Sequence, residues 1–210
     1  VINMEKKKTF IIIAVALLVL SIGITFAYFI AKTGPGSSAN ANVTTGTVDD
    51  LKFNVSKENI SLNINQFNFA SGSGNITDTV TATASLKANS TKNTATYNYY
   101  VYFQIESNNY VYTTTDKKPE IVLSITGPNG EITNVDGLTY VSATNADGTV
   151  VKGFDITEQR TSVIKVADSY EISSSSSTNY TTQDWTFTVT FINLDTNQVG
   201  NQNKNLTGKV

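Results

Sequence analysis

The chain has 210 residues, 40% of them hydrophobic, with 15 basic and 17 acidic residues and a formal net charge of −2. It contains no histidine and no cysteine, which excludes Ser-His-Asp and Cys-His catalysis, disulfides, and zinc sites built from those ligands. A weakly acidic chain is poorly suited to bind the phosphate backbone of a nucleic acid, so we expect no nucleic-acid partner.

The N-terminal part contains a charge-free segment, residues 10–31, which follows Lys6, Lys7 and Lys8. A helix of this length can span a bilayer. Because three lysines precede the segment and only Lys32 follows it closely, the N-terminus is expected to stay inside and the remainder outside. The sequence therefore predicts an exported protein, located outside the cell or on its surface.

The hydrophobic segment has two alternative fates. Thr25 and Ala27 place small residues at positions −3 and −1 of a signal-peptidase site, with Tyr28 as the first residue of the mature chain. This pattern favours a signal peptide that is removed. In the alternative, residues 1–31 remain as a membrane anchor, and the protein contacts the membrane through residues 10–31.

Residues 32–47 are small, polar and turn-forming, so they are expected to form a flexible linker. From residue 48 onward, apolar and hydroxyl side chains alternate with period two, which is typical of half-buried strands. Many short strands separated by turn signals predict an all-β domain over residues 48–210, a β-sandwich of the Ig-like or jelly-roll type. The clearest alternating segments lie at 80–86, 97–105, 121–125, 163–172 and 185–191.

Turn signals end or separate these segments. Residues 127–130 read Gly-Pro-Asn-Gly and are expected to end the strand at 121–125. Residues 136–137 and 147–148 are both Asp-Gly pairs, which are typical of tight hairpins.

The segment at 97–105 differs from the others because it carries tyrosines on both faces. Tyr97 and Tyr99 belong to one apolar face, and Tyr100 and Tyr102 belong to the other. Since aromatic side chains are mostly buried, we expect a loop or a neighbouring strand to cover the second face. The alternative is an exposed aromatic surface that contacts sugar or another subunit. These four tyrosines are the candidate binding or assembly residues.

The remaining candidates for chemistry are carboxylates. Asp49 and Asp50 are adjacent, and Asp136 and Asp147 fall in the turn signals. Nothing in the sequence places two carboxylates across a cleft, as hydrolysis of a glycosidic bond requires, and no segment matches an Asp-rich calcium loop. We therefore expect no enzyme activity, no catalytic residue, no metal site and no cofactor.

Two short motifs carry a family resemblance. The first is Gly23-Ile-Thr-Phe-Ala-Tyr-Phe29, and the second is Val43-Thr-Thr-Gly-Thr-Val-Asp-Asp-Leu-Lys-Phe53. Together they resemble the opening of TasA/camelysin-type proteins, which are exported by Gram-positive bacteria. The resemblance is confined to the N-terminal part of the chain that these motifs span.

The resemblance implies cleavage near Ala27 by a dedicated signal peptidase, a jelly-roll domain, and assembly into biofilm-matrix fibres in which an N-terminal strand of one subunit completes the next. Because Pro35 cannot donate a hydrogen bond to a sheet, strand donation is expected to use residues 39–45. The metalloprotease label of camelysin is not carried over, since the chain lacks histidine. The candidate donor strand comprises Ala39, Ala41, Val43 and Thr45.

Three functions are consistent with these observations. The leading hypothesis is an exported structural or adhesive protein of the cell surface or extracellular matrix, in which a donor strand pairs with another copy or with another matrix protein. The alternative is a membrane-tethered module that binds carbohydrate or another ligand through residues 97–102. A hydrolase that uses two carboxylates ranks far behind both.

Overall fold

The computed structural model describes residues 41–43, 49–65, 76–90 and 94–210. The hydrophobic segment 10–31 and the cleavage residues Thr25, Ala27 and Tyr28 lie outside this range, so their predicted role stays a prediction. The described residues form strands and one turn of 3-10 helix at Val199–Asn201, and they contain no α-helix.

The described strands number twelve, and the residues from Asn42 onward form one compact unit. In chain order they are β1 Ala41–Val43, β2 Asp50–Val55, β3 Ile60–Ile64, β4 Ile76–Lys87, β5 Ala95–Asn108, β6 Ile121–Gly127, β7 Gly130–Glu131, β8 Tyr140–Thr144, β9 Val150–Asp155, β10 Ser162–Ser174, β11 Thr181–Phe191 and β12 Lys204–Lys209.

These strands form two antiparallel sheets that pack face to face, as predicted for a β-sandwich. The larger sheet has the order β1-β2-β4-β11-β6-β9-β8, with β7 paired to β6, and the smaller sheet has the order β10-β5-β12-β3. Strands β3 and β10 of the smaller sheet contact β4 and β11 of the larger one. Residues of both sheets contribute to one hydrophobic core.

Three of the pairings are nested within one another along the chain. Strand β4 pairs with β11, β5 pairs with β10, and β6 pairs with β9. The pairs β4–β11 and β6–β9 lie in the larger sheet, whereas the pair β5–β10, which comes between them in the nesting, lies in the smaller sheet. The middle of the chain therefore forms a long antiparallel ribbon that crosses from one sheet to the other and back.

Period-two alternation determines which side chains enter the core. On β11, Trp185, Phe187 and Val189 are buried, while the intervening threonines face outward. Across the core, the ring of Phe103 on β5 stacks on that of Phe187, with centroids 5.7 Å apart. The alternation read from the sequence is thus confirmed for strands such as β5 and β11, each of which has one apolar face directed at the opposing sheet.

Of the three predicted turns, those at residues 127–130 and 147–148 connect paired strands, whereas the one at residues 136–137 does not. Residues 128–129 separate β6 from β7, and Asp147-Gly148 lies in the tight connection between β8 and β9, where Gly148 has a φ of +86°. The prediction of a hairpin at Asp136-Gly137 is wrong. A turn does form there, with the Leu138 amide donating to the Val135 carbonyl, but it connects β7 to β8, which pair with different strands.

The outward face of the larger sheet is lined with hydroxyl groups that bond to one another. Thr79 and Thr188 are joined by a hydrogen bond of 2.9 Å between their hydroxyl oxygens, and the Thr83 hydroxyl donates to Asp184 at 2.6 Å. A small second apolar cluster of Val122, Ala143 and Ile192 covers part of the same sheet. Hydroxyl groups on this face are therefore hydrogen-bonded across neighbouring strands of the sheet.

Candidate binding and assembly surface

Strand β5 presents its tyrosines in two opposite directions. The residues at odd positions from 97 to 105 face the core, and Tyr99 is only 5% exposed. The residues at even positions face away from the larger sheet, and the side chains of Tyr100 and Tyr102 are 56% and 43% exposed. The four candidate tyrosines therefore split into an inner pair and an outer pair.

The inner pair belongs to the core and its boundary. The Tyr99 hydroxyl accepts a hydrogen bond from Trp185 Nε1 at 2.9 Å and donates to Gln183 at 2.7 Å. The half-buried Tyr97 donates to Asp49 at 3.1 Å. Burial raises the pKa of both phenols, and the Asp49 carboxylate adds to the rise at Tyr97. Tyr99 is therefore a core residue rather than a surface residue, and the partly buried Tyr97 packs against the edge of the core.

The outer pair forms an exposed aromatic surface, which we call the tyrosine face. The rings of Tyr100 and Tyr102 have centroids 6.5 Å apart and planes that differ by 20°. Among the described residues, neither hydroxyl has a hydrogen-bond partner. We expected this second face to be covered, but among the described residues no strand or loop covers it, because β5 lies in the smaller sheet and its even positions point away from the larger one.

Polar side chains surround the tyrosine face. Lys165 of β10 lies opposite Tyr102 in the register and forms an ion pair with Asp168, with 2.7 Å between Nζ and Oδ2. On β5 itself, Asn98 precedes the two rings and Gln104 follows them on the same outward side. Val163, which is exposed and lies opposite Gln104, is the apolar neighbour on β10.

One side of β5 is open over part of its length. Strand β12 pairs with β5 only from Gln104 to Asn108. Strand β10 pairs with the other side of β5 from Ala95 to Ile105. Within the described residues, no strand therefore lies beside residues 95–103 on the side that β12 occupies further along.

The predicted donor segment is partly described. Residues Ala41–Val43 form β1, which lies beside β2 at one end of the larger sheet. Ala39 and Thr45 fall outside the described residues. Because β1 has three residues and β2 has six, part of the β2 edge has no described strand opposite it. Three residues of the predicted linker are thus strand.

The carboxylates that the sequence singled out lie in separate structural roles. Asp49 accepts from Tyr97 and from the Asn89 amide. Asp50 contacts Lys52, Lys87 and the Tyr180 hydroxyl, and the bond from Tyr180 lowers the pKa of Asp50.

The two turn carboxylates are likewise engaged locally or exposed. Asp147 accepts from the Thr149 amide, which lowers its pKa, and Asp136 is exposed in its turn. In the described part of the chain, no three acidic side chains group in a way that could hold a metal ion.

A buried carboxylate that sequence reasoning missed is Glu120, which is fully buried ahead of β6. Its Oε1 accepts from the amide and the hydroxyl of Thr113, and its Oε2 accepts from Gln198 at 2.8 Å and Asn201 at 2.7 Å. These bonds join the loop before β6 to the segment before β12. A single glutamate next to a strand carries no sequence signal for such convergence.

Comparison of the chain with family models, with curated proteins and with solved structures finds no match. The resemblance to TasA/camelysin-type proteins therefore stays a prediction from two motifs. In the described residues, no helix is long and apolar enough to cross a membrane.

Proposed function

We propose that the chain is an exported structural or adhesive protein of the cell surface or extracellular matrix, whose copies associate by strand addition. The observation that carries the proposal is β1: residues Ala41–Val43 of the predicted donor segment adopt strand conformation, and they lie at the end of the larger sheet beside β2. Main-chain hydrogen bonds to an exposed edge supply affinity without any dedicated pocket.

The mode of association that we propose is an exchange of β1 between copies. In a single chain, β1 lies beside its own β2. If β1 of one copy instead lies beside β2 of the next, the same contacts form between subunits, and such an exchange is inexpensive because no new surface chemistry is required. Each copy then offers one donor and one acceptor, so the arrangement repeats in one direction and produces a filament.

The nested strand pairs support the finer assignment of the sandwich as a jelly roll rather than an Ig-like fold. A jelly roll is a long antiparallel ribbon folded across two sheets, and the pairs β4–β11, β5–β10 and β6–β9 have that nesting. This assignment agrees with the fold that the N-terminal motifs imply. In the same proposal, residues 1–31 are a signal peptide or anchor of a Gram-positive bacterium.

A structural role is favoured over catalysis by the chemistry of the described residues. The chain has neither histidine nor cysteine, and its best-buried carboxylate, Glu120, has both oxygens occupied by protein donors. Asp49, Asp50 and Asp147 each accept bonds from nearby protein groups. A carboxylate-dependent hydrolase needs instead two carboxylates that face a common cleft.

The test compares filament formation by the wild type and by an Ala41→Pro/Val43→Pro double variant, after expression in a Gram-positive host. Proline removes backbone donors and is poorly tolerated in a paired strand. We expect electron microscopy and sedimentation to show filaments for the wild type and a monomer for the variant. N-terminal sequencing of the same material identifies the processed end.

The matched control is Asn134→Pro, which places a proline in an exposed connection between β7 and β8. It should form filaments like the wild type. The proposal fails if the wild type stays monomeric at matrix-like concentrations, or if the double variant assembles as well as the control.

A further inference from the structure

We propose that the tyrosine face is a binding site for a neutral polysaccharide chain. The site consists of four outward positions in a row on β5: Asn98, Tyr100, Tyr102 and Gln104. The proposal does not depend on strand addition, because the face lies on the outer side of the smaller sheet, whereas β1 and β2 belong to the larger one.

The two rings supply the apolar part of such a site. Their planes differ by only 20°, so their faces share a common orientation, and alternate residues along a strand are about 7 Å apart. Sugar rings have a face of C–H groups that packs on an aromatic ring, and tyrosine offers such a ring at low entropic cost. Two parallel rings in a row suit consecutive sugars of an extended chain.

The two amides supply the polar part. Asn98 and Gln104 flank the rings on the same side of the strand, and each side-chain amide can both donate and accept hydrogen bonds. Sugar hydroxyls likewise donate and accept. The order amide, ring, ring, amide therefore places hydrogen-bonding groups at both ends of the aromatic surface.

The charge at this surface favours a neutral ligand over a polyanion. Lys165 is the cation opposite Tyr102, and its ammonium group is 2.7 Å from the Asp168 carboxylate. Because this ion pair leaves no net positive charge beside the rings, a phosphate- or sulfate-bearing polymer gains little here.

The apolar area is too small to favour a second protein copy as the occupant. A stable protein interface needs about 800 Å² from each partner. A tyrosine buries about 150–250 Å² when fully enclosed, and these two are about half exposed. Among the described residues, Val163 is the other large exposed apolar side chain on this face.

The test measures binding to insoluble cellulose, chitin and amylose by depletion from solution, with the protein as recovered from a Gram-positive host. We expect the wild type to bind at least one of them. The Tyr100→Ala/Tyr102→Ala variant should bind at least about tenfold more weakly, since each stacked ring is worth a substantial part of the affinity. The Tyr100→Phe/Tyr102→Phe variant, which keeps the rings, should bind like the wild type.

Two further variants separate binding from folding. Val150→Ala removes an exposed apolar side chain from a strand of the larger sheet and should not alter binding. Asn98→Ala/Gln104→Ala should weaken binding several-fold while the near-ultraviolet spectrum of buried Trp185 is unchanged. If the Tyr100→Ala/Tyr102→Ala variant does not fold, the Asn98→Ala/Gln104→Ala variant tests whether this face binds polysaccharide.

Several results would overturn the proposal: no binding to any of the three polysaccharides, wild-type binding by the double alanine variant, or binding to soluble dextran sulfate alone. Loss of self-association in the double alanine variant, with polysaccharide binding unchanged, would assign the face to a second copy instead.

Discussion

Trp185 packs its indole ring directly against Gly127, and a Cβ atom at Gly127 would lie 2.8 Å from Trp185 Cζ3. The same indole donates a hydrogen bond from Nε1 to Tyr99 on the opposing sheet. One side chain thus contacts the end of β6 and links β11 to β5 across the core. Because the indole is held by Gly127 on one side and by Tyr99 on the other, it has little room to shift if either neighbour is changed.

Gly127→Ala is therefore expected to destabilise the fold by about 1–3 kcal/mol, because the added methyl group displaces a buried indole. Chemical denaturation measures the change. Gly200→Ala is the matched control: the nearest atom to its new methyl group is 3.5 Å away, so the free energy of unfolding should change by less than about 0.5 kcal/mol. Equal effects for the two variants would contradict the packing described for Trp185.

Tyr99→Ala and Tyr100→Ala compare two adjacent tyrosines of one strand. The first removes a 5% exposed ring and its bond with Trp185, and should cost about 3–5 kcal/mol of unfolding free energy. The second removes an exposed ring and should change that free energy by about 0.5 kcal/mol or less. Thermal or denaturant unfolding distinguishes them, and a large loss in Tyr100→Ala would mean that the outer ring is covered.

Asp78 connects the two sheets, since its Oδ2 on β4 accepts from the Ser61 amide of β3 at 2.7 Å. Burial opposes ionisation there, but the bonds from Lys57 and the Ser61 amide outweigh it and lower the pKa of Asp78. The contribution of a carboxylate whose pKa is lowered by folding is present above its unfolded pKa of about 3.9 and is lost as pH falls through the folded value.

Asp78→Asn should accordingly lower the free energy of unfolding at pH 7 by about 1–2 kcal/mol, and the difference from the wild type should shrink as the pH falls below about 4. Denaturation curves at several pH values test this. Asp116→Asn is the control, because the Asp116 carboxylate is 61% exposed and lies 3.7 Å from Lys118, so its effect should be near zero. A pH-independent difference for Asp78→Asn would show that the carboxylate charge is not involved.

Glu120→Gln should destabilise the fold by about 1–3 kcal/mol, since every partner of the carboxylate is a donor and the new amide group would face Gln198 and Asn201 with a second donor. Urea denaturation provides the measurement. Glu58→Gln, at an exposed position, is the control and should leave the free energy of unfolding unchanged. If both variants unfold alike, the network around Glu120 contributes nothing to stability.

The strands could be predicted from the sequence because alternation depends only on neighbouring residues. Residues 185–191 show it clearly, and the burial of β11 alternates from Trp185 to Val189, after which Thr190 is buried as well. The exposure of Tyr100 and Tyr102 could not be predicted in the same way. Alternation separates the two faces of β5 but does not reveal which sheet contains the strand, nor that the described residues place four strands in this sheet and leave Tyr100 and Tyr102 exposed on its outer side.

Contacts between residues far apart in the chain could not be predicted from the sequence either. Glu120 meets Gln198, 78 residues later in the chain, and nothing in either local sequence indicates the other. The Asp136-Gly137 pair shows a related limit: its residues predict a turn correctly, but only the pairing of β7 with β6 and of β8 with β9 determines that the turn does not close a hairpin.

The nested pairing also determines when the chain can fold. Thr81 of β4 and Thr186 of β11 are hydrogen-bonded to each other although they lie 105 positions apart in the chain. Strand β4 therefore cannot pair with β11 until nearly the whole chain is present. Pairing between distant strands is slow and leaves β-prone segments unprotected meanwhile. If the chain is exported N-terminus first, as we propose, β4 and β11 cannot pair on the far side of the membrane until β11 has also crossed it.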